Sequence, residues 1–233
     1  MTSERRTAVV VGGLFIAATG FFMAGQTLHG PFLDSAEALE LAQPNRTRVV
    51  VGILIELLGV LAIPLIALVF YPILRRVSEI VALSYVGLRF IEAVALVMVD
   101  ANLWAMVSLS EAYHAVTASA DVLATQLGTL QVVNESAFLI SVAIAFPLGS
   151  CLLNGVLWRT RLVPRVISGW GVLGATLLLL GSLLDSLALL PGLSPVLLEV
   201  LLTVPIAIQE MVLAVWLIAN GVAGSDARVP QRG

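Results

Sequence analysis

Six stretches of this chain, at about 7–28, 49–74, 79–103, 132–157, 166–190 and 196–220, stay apolar for long enough to cross a bilayer. A hydrocarbon core about 30 Å thick takes roughly 20 residues of helix at 1.5 Å per residue. Inside that core no water is present to pair a backbone N–H or C=O, so each stretch has to satisfy its own as a helix. The six segments use most of the 233 residues. The expected fold is therefore a single all-α membrane domain, a bundle of six transmembrane helices with a short tail at 221–233. With 59% hydrophobic and only 12% charged residues, an ordinary soluble domain is excluded.

The arginines orient the bundle. All twelve basic residues are arginine. Nine of them fall on one side of the six-span pattern: Arg5, Arg6, Arg75, Arg76, Arg159, Arg161, Arg165, Arg228 and Arg232. Basic residues near span ends are retained on the cytoplasmic side. A plasma-membrane protein with both termini cytoplasmic is expected, and Arg46 and Arg48 are left outside. Tyr71, Trp158, Trp170 and Trp216 fall near inner span ends and Trp104 and Tyr113 near an outer one, where amphipathic rings favour the interface. The first span reads as retained rather than cleaved, because its apolar run is long for a signal segment and no clean cleavage site follows.

Connections on the inner side are short, as at Arg75-Arg76-Val77-Ser78, which forces an antiparallel hairpin. Two outer segments are longer. Residues 29–48 set Asp34, Glu37 and Glu40 among Leu33, Ala36, Leu39 and Leu41, the pattern of a short amphipathic helix at the interface. Residues 109–131 carry Glu111, Tyr113, His114 and Asp121 and read likewise as helical. In the second span Gly52, Glu56, Gly59 and Ile63 share one face, and the fifth span is enriched in Gly169, Gly171, Gly174 and Gly181. Small residues let membrane helices approach closely. Pro64, Pro147 and Pro205 are expected to kink spans two, four and six.

Any chemistry should reside in the ionisable residues inside the spans: Glu56, Arg89, Glu92, Asp100, Glu135, Asp185, Glu199 and Glu210. A charge at a helix centre costs about 2.5–3.5 kcal/mol on insertion scales, so these groups need partners or a watery cavity. Arg89 and Asp100 are separated by about 20° around an ideal helix and Glu92 lies about 60° from Arg89, so span three carries one polar stripe. Arg89 can pair with only one or two of Glu56, Glu92, Asp185 and Glu210. One arginine among several buried carboxylates resembles a proton-coupled or cation-binding arrangement, and also a structural ion-pair network that locks the bundle.

Other chemistries find little support. His29 and His114 both fall outside the expected spans and have no metal-ligand spacing, so no metal site is expected. No serine nucleophile motif, phosphate-binding glycine loop or cofactor motif occurs, and no catalytic residue or cofactor is assigned. Cys151 is the single cysteine and reads as an inert thiol. The net charge of −3, with arginines dispersed at span ends, gives no nucleic-acid partner. The lipid bilayer is the expected partner, with a small-molecule or ion ligand.

Several segments, in order, resemble the bacterial membrane proteins of domain-of-unknown-function family 4386. They are Pro44-Asn45-Arg46-Thr47-Arg48, the Leu88-Arg89-Phe90-Ile91-Glu92-Ala93 core of span three, and the run from Leu162 to Gly171 with Leu184-Asp185-Ser186. The Pro205 to Glu210 and Trp216 to Gly221 pattern is similar as well. The resemblance implies a multi-pass helical protein of the bacterial plasma membrane, and supplies neither substrate nor catalytic residues. It draws interest to Arg89, Glu92, Asp185 and Glu210. With Glu56 these are the residues expected to bind an ion or ligand, Arg89 ordering a pocket in which the carboxylates hold a cation or proton. The competing expectations are a sensor, assembly or stress-response accessory protein whose buried charges are structural, and then a membrane enzyme acting on lipid.

Overall fold

The computed structural model describes residues 3–35, 37–116, 119–189 and 195–222. Arg228, Arg232 and most of the expected tail lie outside them, as does the side chain of Glu199. Most of the described residues are helical, in the order α1 (Ser3–Leu33), α2 (Ala38–Leu41), α3 (Arg46–Leu74), α4 (Glu79–His114), α5 (Ala120–Phe138), a π-helical segment (Leu139–Ala145), α6 (Phe146–Thr160), α7 (Arg165–Ser186) and α8 (Pro195–Asn220). Six of the helical stretches are long and apolar enough to cross a membrane, α5 through α6 counting as one. The chain is a multi-pass membrane protein.

The helices run further than the hydrophobic pattern alone suggests. α4 has 36 residues, about 54 Å at 1.5 Å per residue, well beyond the roughly 30 Å of a hydrocarbon core. Much of the segment at 109–131 is thus the end of α4 and the start of α5. The segment at 29–48 holds one turn of helix, α2, whose Ala38 and Leu39 are buried. Ser110 of α4 pins it: the hydroxyl donates to Leu39 O at 2.6 Å and accepts from Gln43 N at 2.8 Å.

Pro147 accounts for the π-helical segment. Its ring lacks an N–H and crowds the carbonyl four residues back, Ala143. A run of wider turns immediately before the proline relieves that crowding without breaking the span.

The chain divides into two compact units. The first comprises Met1–Ile16, Ile66–Leu88 and Phe146–Gly233, the second Ala17–Leu65 and Arg89–Ala145. In the first unit the glycines of α7 seat neighbouring side chains: a Cβ at Gly171 would come within 2.3 Å of the Asn154 amide, and at Gly181 within 2.6 Å of Leu202. Gln209 of α8 donates to Asn154 Oδ1 and to Ile167 O, both at 3.1 Å, tying α8 to α6 and α7. Arg5 has a structural task besides its topological one. Its guanidinium donates to the carbonyls of Leu217, Ile218 and Ala219, the groups that a helix C-terminus leaves without intrahelical partners. α8 stops there, with Gly221 at φ +75°.

In the second unit α1 and α3 meet backbone to backbone. A Cβ built on Gly25 would lie 2.6 Å from Glu56 Cβ and 2.7 Å from Gly52 O. At Gly59 it would lie 2.7 Å from Ala18 O. The Gly52–Glu56–Gly59 face expected to pack closely does so, against α1. Around it Val60, Ile63, Ala93 and Leu96 form a buried cluster with Phe22 and Phe138 packed on it. A second cluster toward α2 joins Leu33, Leu39, Val49, Leu103 and Leu127.

Candidate functional site: a buried carboxylate–histidine cluster

The close approach of α1 and α3 has a chemical consequence. Gly25 and His29 are one turn apart on α1, and Gly52 and Glu56 one turn apart on α3. With glycine facing glycine and Glu56, the next turn of α1 brings His29 against Glu56. His29 Nε2 is hydrogen-bonded to Glu56 Oε2, and Gln26 Nε2 donates to Glu56 Oε1 at 3.2 Å. Both His29 and Glu56 are 1% exposed. The expectation that His29 lies in an outer loop is therefore corrected. α1 continues to Leu33, and its last turns carry the imidazole into the packed interior.

Two further carboxylates lie within electrostatic reach of Glu56: Asp100 on α4 and Asp34 just beyond the end of α1. Asp100 is 5% exposed, and neither of its carboxylate oxygens has a hydrogen-bond partner among the described residues. Nδ1 of His29 and Oδ1 of Asn134 are likewise buried and without partners. Most buried polar atoms in folded proteins are satisfied, and a buried charge without compensation is costly. Asp34 is exposed. Partial desolvation, the largest influence, holds its carboxyl above the usual carboxylate range; His29 acts against that shift and Glu56 adds to it.

The polar stripe of α4 faces inward, with Arg89, Glu92 and Asp100 all buried. Arg89 pairs with Glu92 on its own helix, Nη1 lying 3.0 Å from both carboxylate oxygens. Ser141 of the π-helical segment donates to the Glu92 carbonyl at 3.2 Å. The structure thus places Arg89, Glu92 and Glu56 in the second unit. Asp185 and Glu210 belong to the first, Asp185 exposed at the penultimate position of α7 and Glu210 half-buried in the middle of α8.

Among the described residues, no three His, Cys, Asp or Glu side chains converge as a metal ion requires. An apolar groove of about 490 Å³ on the second unit is lined by Phe90, Met98, Val133 and Ile140 and includes neither Glu56 nor Asp100. Sequence reasoning missed His29, Gln26 and the unpartnered state of Asp100. The available signal was the repeated spacing, Gly25 to His29 on α1 matching Gly52 to Glu56 on α3.

The profile of the family described as Domain of unknown function (DUF4386) matches residues 10–221, and the chain belongs to that family. No curated protein and no solved structure matches it.

Proposed function

We propose that this protein binds a proton within the membrane at the Glu56–His29 pair and passes it across, alone or coupled to a small cation or solute. The observation that carries the reading is Asp100. A carboxyl that is buried, lacks any hydrogen-bond partner among the described residues and sits in reach of Glu56 is poised to take up a proton or a cation. Carboxylates and histidines at intramembrane depth mark proton relays in pumps and transporters. Glu56 stands eight residues into the span from Arg48, about 12 Å along the helix axis, within the hydrocarbon region when Arg48 is at the interface. Arg89 pairs with Glu92 on the same buried stripe of α4 that carries Asp100. Asp185 and Glu210 have no assigned part in this reading.

The setting proposed is a bacterial plasma membrane, with both termini cytoplasmic by the arginine bias. The bilayer is the protein's partner, and its helices act as one membrane domain. The Arg89–Glu92 pair by itself favours a structural role for those two residues, because both are on one helix and satisfy each other.

The test is proton flux in proteoliposomes loaded with a pH-sensitive dye. Glu56→Gln and Asp100→Asn are expected to lower the flux by at least about tenfold, in line with the contribution of a positioned acid or base, while the folded fraction in detergent is retained. Gly20→Ala, at a position with open space around it, is the control. Flux equal to that of protein-free vesicles in the unmodified protein, under every imposed gradient of protons, sodium or potassium, would remove the proposal.

A further inference from the structure

We infer that protons enter the Glu56–His29 site from the end of the protein that carries α2, with Asp34 as the first acceptor; this rests on the reading of Glu56 as a proton-binding group. The geometry runs along one face of α1. Asp34 follows the last residue of the helix, and its N–H bonds to the Gly30 carbonyl at 3.0 Å. Its carboxylate folds back over Gly30, where a built Cβ would stand 3.0 Å from Asp34 Oδ2 and 3.7 Å from Gln26 Oε1. A methyl at position 30 would press on the carboxylate, the far end of a flexible side chain, and shift it from its place against the helix. One turn further in, Gln26 donates to Glu56, whose other oxygen meets His29. An exposed acid at position 34 thus lies at the mouth of a cluster in which the Gln26 amide and the His29 imidazole each hold one oxygen of the buried Glu56.

His29 supplies the transfer step. Its Nε2 is engaged with Glu56 while Nδ1 is held by no protein group among the described residues. Asp34 and Nδ1 are not hydrogen-bonded to each other, so a water relays the proton: the Asp34 carboxyl gives its proton to the water as the water gives one to Nδ1, and the Nε2–H bond breaks as that proton passes to Glu56 Oε2. The balance is one carboxylic acid lost at Asp34 and one gained at Glu56, with the imidazole neutral before and after. The titratable groups around Asp34 are His29 on α1 and Glu56 on α3. Glu37 and Glu40 lie exposed on the next turn of chain, and the Arg48 guanidinium lies over the Phe32 ring at 5.1 Å. Partial desolvation of Asp34 favours its protonated form, as a donor to the interior requires.

The chain has two histidines, so His114→Gln leaves His29 as the single imidazole for nitrogen NMR. The full-length protein is placed in vesicles in one orientation, read from an N-terminal tag, and the pH on each side is set separately. The His29 signal is expected to follow the pH on the α2 side. Asp34→Asn is expected to slow that response about tenfold or more with the same end point, Asp34→Glu to restore it, and Gly30→Ala to slow it by displacing the carboxylate. A response to the opposite side alone, or an unchanged rate in Asp34→Asn, overturns this entry route and leaves Glu56 as a proton site. A His29 signal fixed from about pH 4 to about pH 9, together with no proton uptake, overturns both.

Discussion

Gly25→Ala is the sharpest probe of the packing that creates the site. The added methyl would stand 2.6 Å from Glu56 Cβ, 2.7 Å from Gly52 O and 2.9 Å from Glu56 N. Ordinary carbon contacts fall near 3.5–4.0 Å, so α1 and α3 must separate by about 1 Å. Two of the three obstructing atoms are backbone, and neither can rotate aside. Forcing a methyl into a packed interface of this kind costs about 1–3 kcal/mol. Alanine returns up to about 1 kcal/mol through its better helix propensity. The net expectation is a loss of about 1–2 kcal/mol, a roughly five- to thirty-fold shift toward the unfolded form. Equilibrium unfolding in mixed micelles measures it, with Gly20→Ala on the same helix as the reference, because a Cβ there meets nothing within 4 Å. The NMR signal of His29 should also move in Gly25→Ala and stay in place in Gly20→Ala. Equal stability of the two variants, with His29 unmoved in both, would refute the backbone-to-backbone contact and with it the origin of the His29–Glu56 pair.

Arg5→Ala should cost about 1 kcal/mol through loss of a cation at the α8 C-terminus, seen as faster amide hydrogen exchange confined to the last turn of that helix; unchanged exchange there would contradict the capping role. Asn154→Ala and Gln209→Leu should couple by roughly 0.6 kcal/mol or more in a double-mutant cycle, since one hydrogen bond joins them; additive effects would dissolve that link. Asp34→Asn should stabilise the protein at neutral pH. The folded protein holds the Asp34 proton more tightly than the unfolded chain does, so wild-type stability is full below about 3.8, the ordinary value, and falls as pH rises through the raised one. The advantage of the variant therefore vanishes in acid and grows toward neutrality, and a pH-independent difference in unfolding free energy would reverse the assignment.

Some of this was legible in the residues. The six spans, the inward stripe of Arg89, Glu92 and Asp100, and the glycine face of α3 all follow from periodicity, because lipid penalises every unpaired backbone group and every misplaced charge. Helix ends were less legible. The segment at 109–131 largely continues α4 and α5, and hydropathy is silent about helix that runs on into polar sequence. His29 was placed outside for the same reason, since it lies at the polar margin of an apolar run.

Partner choice is what the sequence by itself left undecided. It required Arg89 and the buried carboxylates to find companions without saying which, because a helical wheel gives a residue's direction and not the neighbour it meets. The tertiary structure decided this through the one contact in which glycine backbones of α1 and α3 touch. That approach sets His29 on Glu56, while Arg89 takes Glu92 on its own helix and Asp100 is left buried within electrostatic reach of Glu56. Composition and periodicity determined that the chain crosses the membrane, since transfer from water to lipid depends on each segment alone. Where a proton could reside depends on distances between segments, and only the packed bundle sets those.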